Sequence, residues 1–180
     1  VAIGGDALAG AMNDADNNTA VGFTAGQAVT TADDSVFIGA EAGKGITVAL
    51  GNIAVGKNAM GGVTTQAANY NVAVGHSALQ GTSATNQAGT VAVGFNALSS
   101  LTTATGNTSV GYRAGQTINT GPNNTAVGYQ ALDALIDGQG NTALGFNALT
   151  AADAGEEYNT CIGYGAGDTI NGGDRNTCLG

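Results

Sequence analysis

Basic side chains are scarce in this sequence. Lys44, Lys57, Arg113 and Arg175 stand against 13 acids, for a net charge of -9. A phosphate-binding surface needs clustered Lys and Arg, so nucleic acid is excluded as a partner. Long hydrophobic runs are also missing. No stretch approaches the roughly 20 apolar residues that cross a bilayer, so no membrane insertion is expected. Tryptophan is absent, proline occurs once and charged residues make up only 9%, a composition that with 31 glycines hints at low complexity. The 43% of hydrophobic residues fall in strict register instead, which argues for an ordered core.

That register is a repeat. The segment "NNTAVGYQALDALIDGQGNTALGFNAL", residues 123–149, says nearly the same thing twice, and an aliphatic-Gly pair recurs along the whole chain. Its glycines are Gly4, Gly22, Gly39, Gly56, Gly75, Gly94, Gly111, Gly128, Gly145, Gly163 and Gly180, spaced by 17 to 19 residues. Nothing interrupts them, so residues 1–180 read as one continuous array. The chain opens on Val-Ala-Ile-Gly and closes on Cys-Leu-Gly, each partway through a repeat, and the expectation is a segment of a longer fibrous protein.

With the glycine as position zero, the residue before it is Ile, Val or Leu, and two before that stands Thr, Val or Ile. This period-2 alternation of β-branched residues predicts a half-buried strand. The aliphatic and Thr/Val positions are expected to face the core. The Ala between them, replaced by Phe37, Ser109, Cys161 and Cys178, is expected to form a small outward face packed closely against something else.

Asn precedes the glycine by four residues in eight of ten copies: Asn18, Asn52, Asn71, Asn107, Asn124, Asn141, Asn159 and Asn176. Stacked coils about 4.8 Å apart would turn these amides into a ladder. Ala follows the glycine by three residues in every copy, then mostly Leu or Gly. The seventh position is apolar again, as in Val29, Ile46, Val63, Leu101, Ile118, Leu135 and Ile170, and is expected to supply a looser second strand. The fold class is therefore all-β: a parallel β-solenoid or β-roll of about ten coils. One thin coil cannot bury its apolar face alone, and an apolar strip along the rod predicts several identical chains side by side.

The motif Asn-(Thr/Val)-Ala-(Val/Ile)-Gly-x-x-Ala resembles the head repeats of YadA-type trimeric autotransporter adhesins, and "NNTAVGYQAL" with its "TG" and "DG" turns is similar to repeat regions of bacteriophage tail fibres. The resemblance spans the whole chain and implies a left-handed β-roll in a homotrimer, located on a virion or at a cell surface. It implies a structural and adhesive role, with a receptor or glycan met through a tip outside this segment. The period of 17 to 19 departs from the shorter adhesin repeat.

Chemistry finds little support, and no catalytic, cofactor-binding or metal residue is expected. A hexapeptide acyltransferase would need a catalytic His and three hexads per coil. Here one hexad per coil fits, and His76 occupies an aromatic position. The acids, Asp14, Asp16, Asp33, Asp34, Asp133, Asp137, Asp153, Glu156, Glu157 and Asp174, scatter over turns read as solvated, not as paired general acid and base. Phe23, Phe95, Tyr112, Tyr129, Phe146 and Tyr164 all follow the glycine directly and form an aromatic stripe, read as packing, with sugar or receptor binding as its alternative. Thr19, Thr108, Thr125, Thr142, Thr160 and Thr177 also align, but an inward, core-lining position sets ice binding aside. Cys161 and Cys178 replace Ala on adjacent coils and are expected to be free.

Overall fold

A computed structural model describes residues 1–64, 68–81, 87–152 and 155–180. Eleven short strands follow one another: β1 Ala2–Ile3, β2 Thr19–Val21, β3 Val36–Ile38, β4 Ile53–Val55, β5 Val72–Val74, β6 Val91–Val93, β7 Thr108–Val110, β8 Thr125–Val127, β9 Thr142–Leu144, β10 Thr160–Ile162 and β11 Thr177–Leu179. They form one parallel sheet in sequence order, with equivalent positions in register, such as Ala126 opposite Ala143. The chain is a β-solenoid of about ten coils, without helix among the described residues.

The inward and outward faces are the reverse of the sequence-based expectation. From β2 to β10 the alanines between the β-branched residues are fully buried, as are Phe37, Ser109 and Cys161 in the same column, while in the two end strands Ala2 is exposed and Cys178 half-buried. Their flanking residues are half-buried or exposed, Ile38 and Leu144 being 40% and 44% accessible. Alternation establishes that two sets of side chains lie on opposite faces, but not which face is inside. Coil thickness decides it. Each strand opposes a returning segment that already fills the interior with Ala at the third position, Leu or Met at the fourth and an aliphatic residue at the seventh. Where the fourth position is Leu or Met, only a methyl-sized group fits against it.

The anticipated second strand does not form. Val29, Ile46, Val63, Leu101, Ile118 and Leu135 are buried and Ile170 half-buried, but none lies in a strand. Positive φ recurs at the glycine and two and four residues after it, as at Gly22, Thr24 and Gly26, and breaks the extended conformation. The backbone closes successive turns instead: the N–H groups of Ala25, Gln27 and Val29 donate three residues back, while those of Thr24 and Gly26 donate to neighbouring coils. Every second amide thus bonds within its coil and the others bond between coils.

The repeat glycine is required twice over. At Gly128 φ is +138°, and an added Cβ would stand 2.2 Å from the carbonyl oxygen of Gly145 in the next coil. The Leu/Gly choice at the fourth position has a packing cause. Gly43, Gly115 and Gly167 occur in the coils whose strand carries Phe37, Ser109 or Cys161, and a Cβ at each would lie 2.2–2.7 Å from that side chain. Gly26 makes way for Phe37 of the adjoining coil. Elsewhere Ala in the strand is matched by Leu8, Met60, Leu79, Leu98, Leu132 or Leu149, all with φ near +50°. The left-handed conformation is unfavourable for a residue with Cβ by roughly 1–2 kcal/mol, which burial of the Leu side chain, roughly 1.5–3 kcal/mol, offsets.

Candidate interaction face

The sheet turns two aliphatic columns outward. One contains Val21, Ile38, Val55, Val74, Val93, Val110, Val127, Leu144, Ile162 and Leu179, and the other is Val or Ile through the middle coils and Thr from Thr108 to Thr177. Contrary to the core-lining place expected for them, the threonines are half-buried, with Thr177 exposed, and face outward. This removes the ground on which ice binding was set aside. Neither column carries an acid, although the chain's net charge is -9. The carboxylates lie elsewhere in the coil.

At the margin of this face, directly after the glycine, the aromatic residues form a ladder. Ring centroids are 5.2 Å apart for Phe95–Tyr112, 5.1 Å for Tyr112–Tyr129 and 5.0 Å for both Tyr129–Phe146 and Phe146–Tyr164, with interplanar angles of 3–12°. His76 caps the column edge-on to Phe95 at 5.5 Å. Phe23 is exposed and stands apart, because Gly5 and Ala40 occupy its position in the adjoining coils. Beside the rings run Arg113, Gln130 and Asn147, which sequence reasoning did not single out. Arg113 lies over the Tyr112 ring at 5.9 Å, and Gln130 donates to Asp133 at 2.8 Å. Burial raises the Asp133 pKa, while Gln130 and Arg113 pull it down.

The asparagines run inside, along the corner preceding the strand. Asn124 Oδ1 accepts from the backbone N–H of Asn141 at 2.9 Å and from its Nδ2 at 3.1 Å, and the same pattern links Asn52 to Asn71, Asn141 to Asn159 and Asn159 to Asn176. Asn18 and Asn107 accept from the backbone N–H of Ser35 and Asn124. Where Asn is replaced, Ser35 Oγ accepts from Asn52 N–H, and Thr90 N–H donates to Asn71 Oδ1.

The turns hold Asp14, Asp16, Asp34, Asp137 and Asp174 exposed, with Asp33, Asp133 and Glu157 half-buried. Glu156 corrects the picture of uniformly solvated acids: it is 1% accessible, and its carboxylate accepts the Gly172 N–H at 2.6 Å. Asp153 lies outside the described residues. Cys161 and Cys178 are free and in register, Cys161 buried and Cys178 half-buried. Burial, with the Cys178 thiol beside it, pushes the Cys161 thiol up to about 12. Among the described residues no group of three or more His, Cys, Asp or Glu is placed to hold a metal ion, no enclosed pocket is present, and no helix is long and apolar enough to cross a membrane.

No protein-family model, curated protein or solved structure matches this chain.

Proposed function

We propose that this chain is the shaft or head of an extracellular trimeric fibre, most simply a phage tail fibre supporting host attachment, with a bacterial surface adhesin or filament as the alternative. The observation that carries the reading is an acid-free, β-branched sheet face on a chain of net charge -9. The partner that fits such a face is another copy of the same face.

Covering a half-exposed Val, Ile or Leu recovers on the order of 1 kcal/mol. Ten such residues per chain approach the roughly 4–15 kcal/mol that association requires, so copies must pair along the whole rod. The resemblance of "NNTAVGYQAL" to tail-fibre and trimeric adhesin repeats supports three copies and an outside location. Antibodies against the chain, viewed by electron microscopy, should decorate fibres on virions. Decoration of cell-surface filaments supports the adhesin, and signal confined to the cell interior contradicts both.

The outward Thr108–Thr177 column favours one second reading, ice binding by a flat Thr/aliphatic array. That reading needs the face uncovered. A monomer that inhibits ice recrystallisation would support it over a fibre.

A further inference from the structure

Five consecutive aromatic rings lie at the margin of the sheet face, four of them 41–44% accessible and the last, Tyr164, 79%. Their flat faces are taken up by one another, so what they offer a ligand is ring edges, and in the tyrosines the hydroxyl. Aromatic edges are the positive part of the ring quadrupole and attract electron-rich oxygen atoms. Each coil then adds a hydrogen-bonding side chain next to its ring, as in Tyr112–Arg113, Tyr129–Gln130 and Phe146–Asn147. Arg113 Nε and Asn147 Oδ1 are buried without a hydrogen-bond partner in the protein, in side chains that are themselves half-buried.

We propose that this margin, from Phe95 to Tyr164, binds an extended neutral polysaccharide laid parallel to the rod axis, with one sugar meeting each coil. Three features select that ligand. The strip repeats every 5.0–5.2 Å, close to the advance of an extended β-linked hexose chain per sugar. It has no enclosed pocket, so it suits an extended ligand and not a compact one. Its charges are Arg113 with Asp133 close by, and the exposed Asp168 beside Gly165 at the Tyr164 end, so the strip, like the rest of the chain, is acidic on balance, which disfavours an anionic glycan. An extended peptide advances about 3.3 Å per residue and so falls out of step with the ladder.

The inference rests on the fibre reading in one respect: copies joined through the aliphatic columns cover the middle of the sheet face and leave its margin open. Each sugar contact is weak, and binding grows with the number of coils engaged.

Affinity electrophoresis of the whole chain through hydroxyethylcellulose, galactomannan and xylan, followed by calorimetry with cellobiose, cellopentaose and cellohexaose, tests the proposal. The expected result is retardation by at least one polymer. Where that polymer is the cellulose derivative, cellopentaose should bind at least about tenfold tighter than cellobiose, with little further gain for cellohexaose. Tyr129→Ala should weaken retention at least about tenfold, while Tyr129→Phe keeps most of it. Tyr164→Ala, at the exposed end of the ladder, supplies a variant that leaves the core intact and should shorten the length dependence by one sugar. Absence of retardation by all three polymers overturns the proposal, and so does unchanged retention in both alanine variants. Native mass measured on the same samples separates the two readings. A trimer that binds no glycan contradicts this inference alone, and a monomer that binds one contradicts the assembly alone.

Discussion

Single side chains in this solenoid are fixed by the coil above or below more than by their sequence neighbours. Gly128→Ala places a methyl group 2.2 Å from the Gly145 carbonyl oxygen at φ +138°, and should lower stability by at least about 3 kcal/mol. Gly89→Ala, at φ +65° with nothing within 4 Å of its Cβ, should lose only about 1 kcal/mol. Thermal melts of the two variants compare them directly. The interior pairing of Phe37 with Gly43 predicts a reversal of sign: Gly43→Leu alone should be strongly destabilising, whereas in a Phe37→Ala background it should recover part of the roughly 3–5 kcal/mol lost with the ring. Additive effects in a double-mutant cycle would contradict that packing. Asp133 offers a pH test. Its folded pKa is raised, chiefly by burial, so its contribution to stability is fully present below the unfolded value and is lost as pH rises through the folded value. Asp133→Asn should flatten the pH dependence of the melting temperature just above the ordinary carboxylate range. No flattening would place that carboxyl in water.

At the scale of the coil, the asparagine corner and the strand have different jobs. Asn124 both accepts from Asn141 and donates to the Gly121 and Gly138 carbonyls, at 3.1 and 2.8 Å, so Asn124→Ala leaves several buried groups without partners. A loss of at least about 2 kcal/mol is expected, against less than about 1 kcal/mol for the exposed neighbour Asn123→Ser. Denaturant midpoints of the two variants decide this, and equal midpoints would remove the ladder's structural role. Much of the coil was legible in the sequence: its period, its strand before each glycine and the parallel stacking of those strands follow from spacing, whereas the second strand expected around the seventh position does not form. The inward face was not. A β-branched column next to an alanine column reads by hydrophobicity as core next to surface, and the thinness of the interior inverts it. One signal could have told the difference. Gly replaces Leu at the fourth position in the coils whose strand has Phe37, Ser109 or Cys161 in place of Ala, and such size matching is needed only if both positions share the interior. Glu156 and the polar partners of the aromatic ladder stayed hidden because burial of a turn residue and the company of Arg113, Gln130 and Asn147 depend on how the coils stack, which no local pattern reports.

For the whole molecule, the inversion changes what the rod presents to its surroundings. The outer wall is not a strip of alanine but two columns of Val, Ile, Leu and Thr, acid-free from end to end and edged by stacked rings. The central claim is that copies of this chain cover that wall, and sedimentation equilibrium of the 180-residue chain at micromolar concentration tests it most directly. A mass three times the 17.4 kDa of one chain is the predicted result, reduced to a folded single chain when Val110 and Val127 are both replaced by Glu. A native chain that sediments as a monomer at the same concentration would contradict the account.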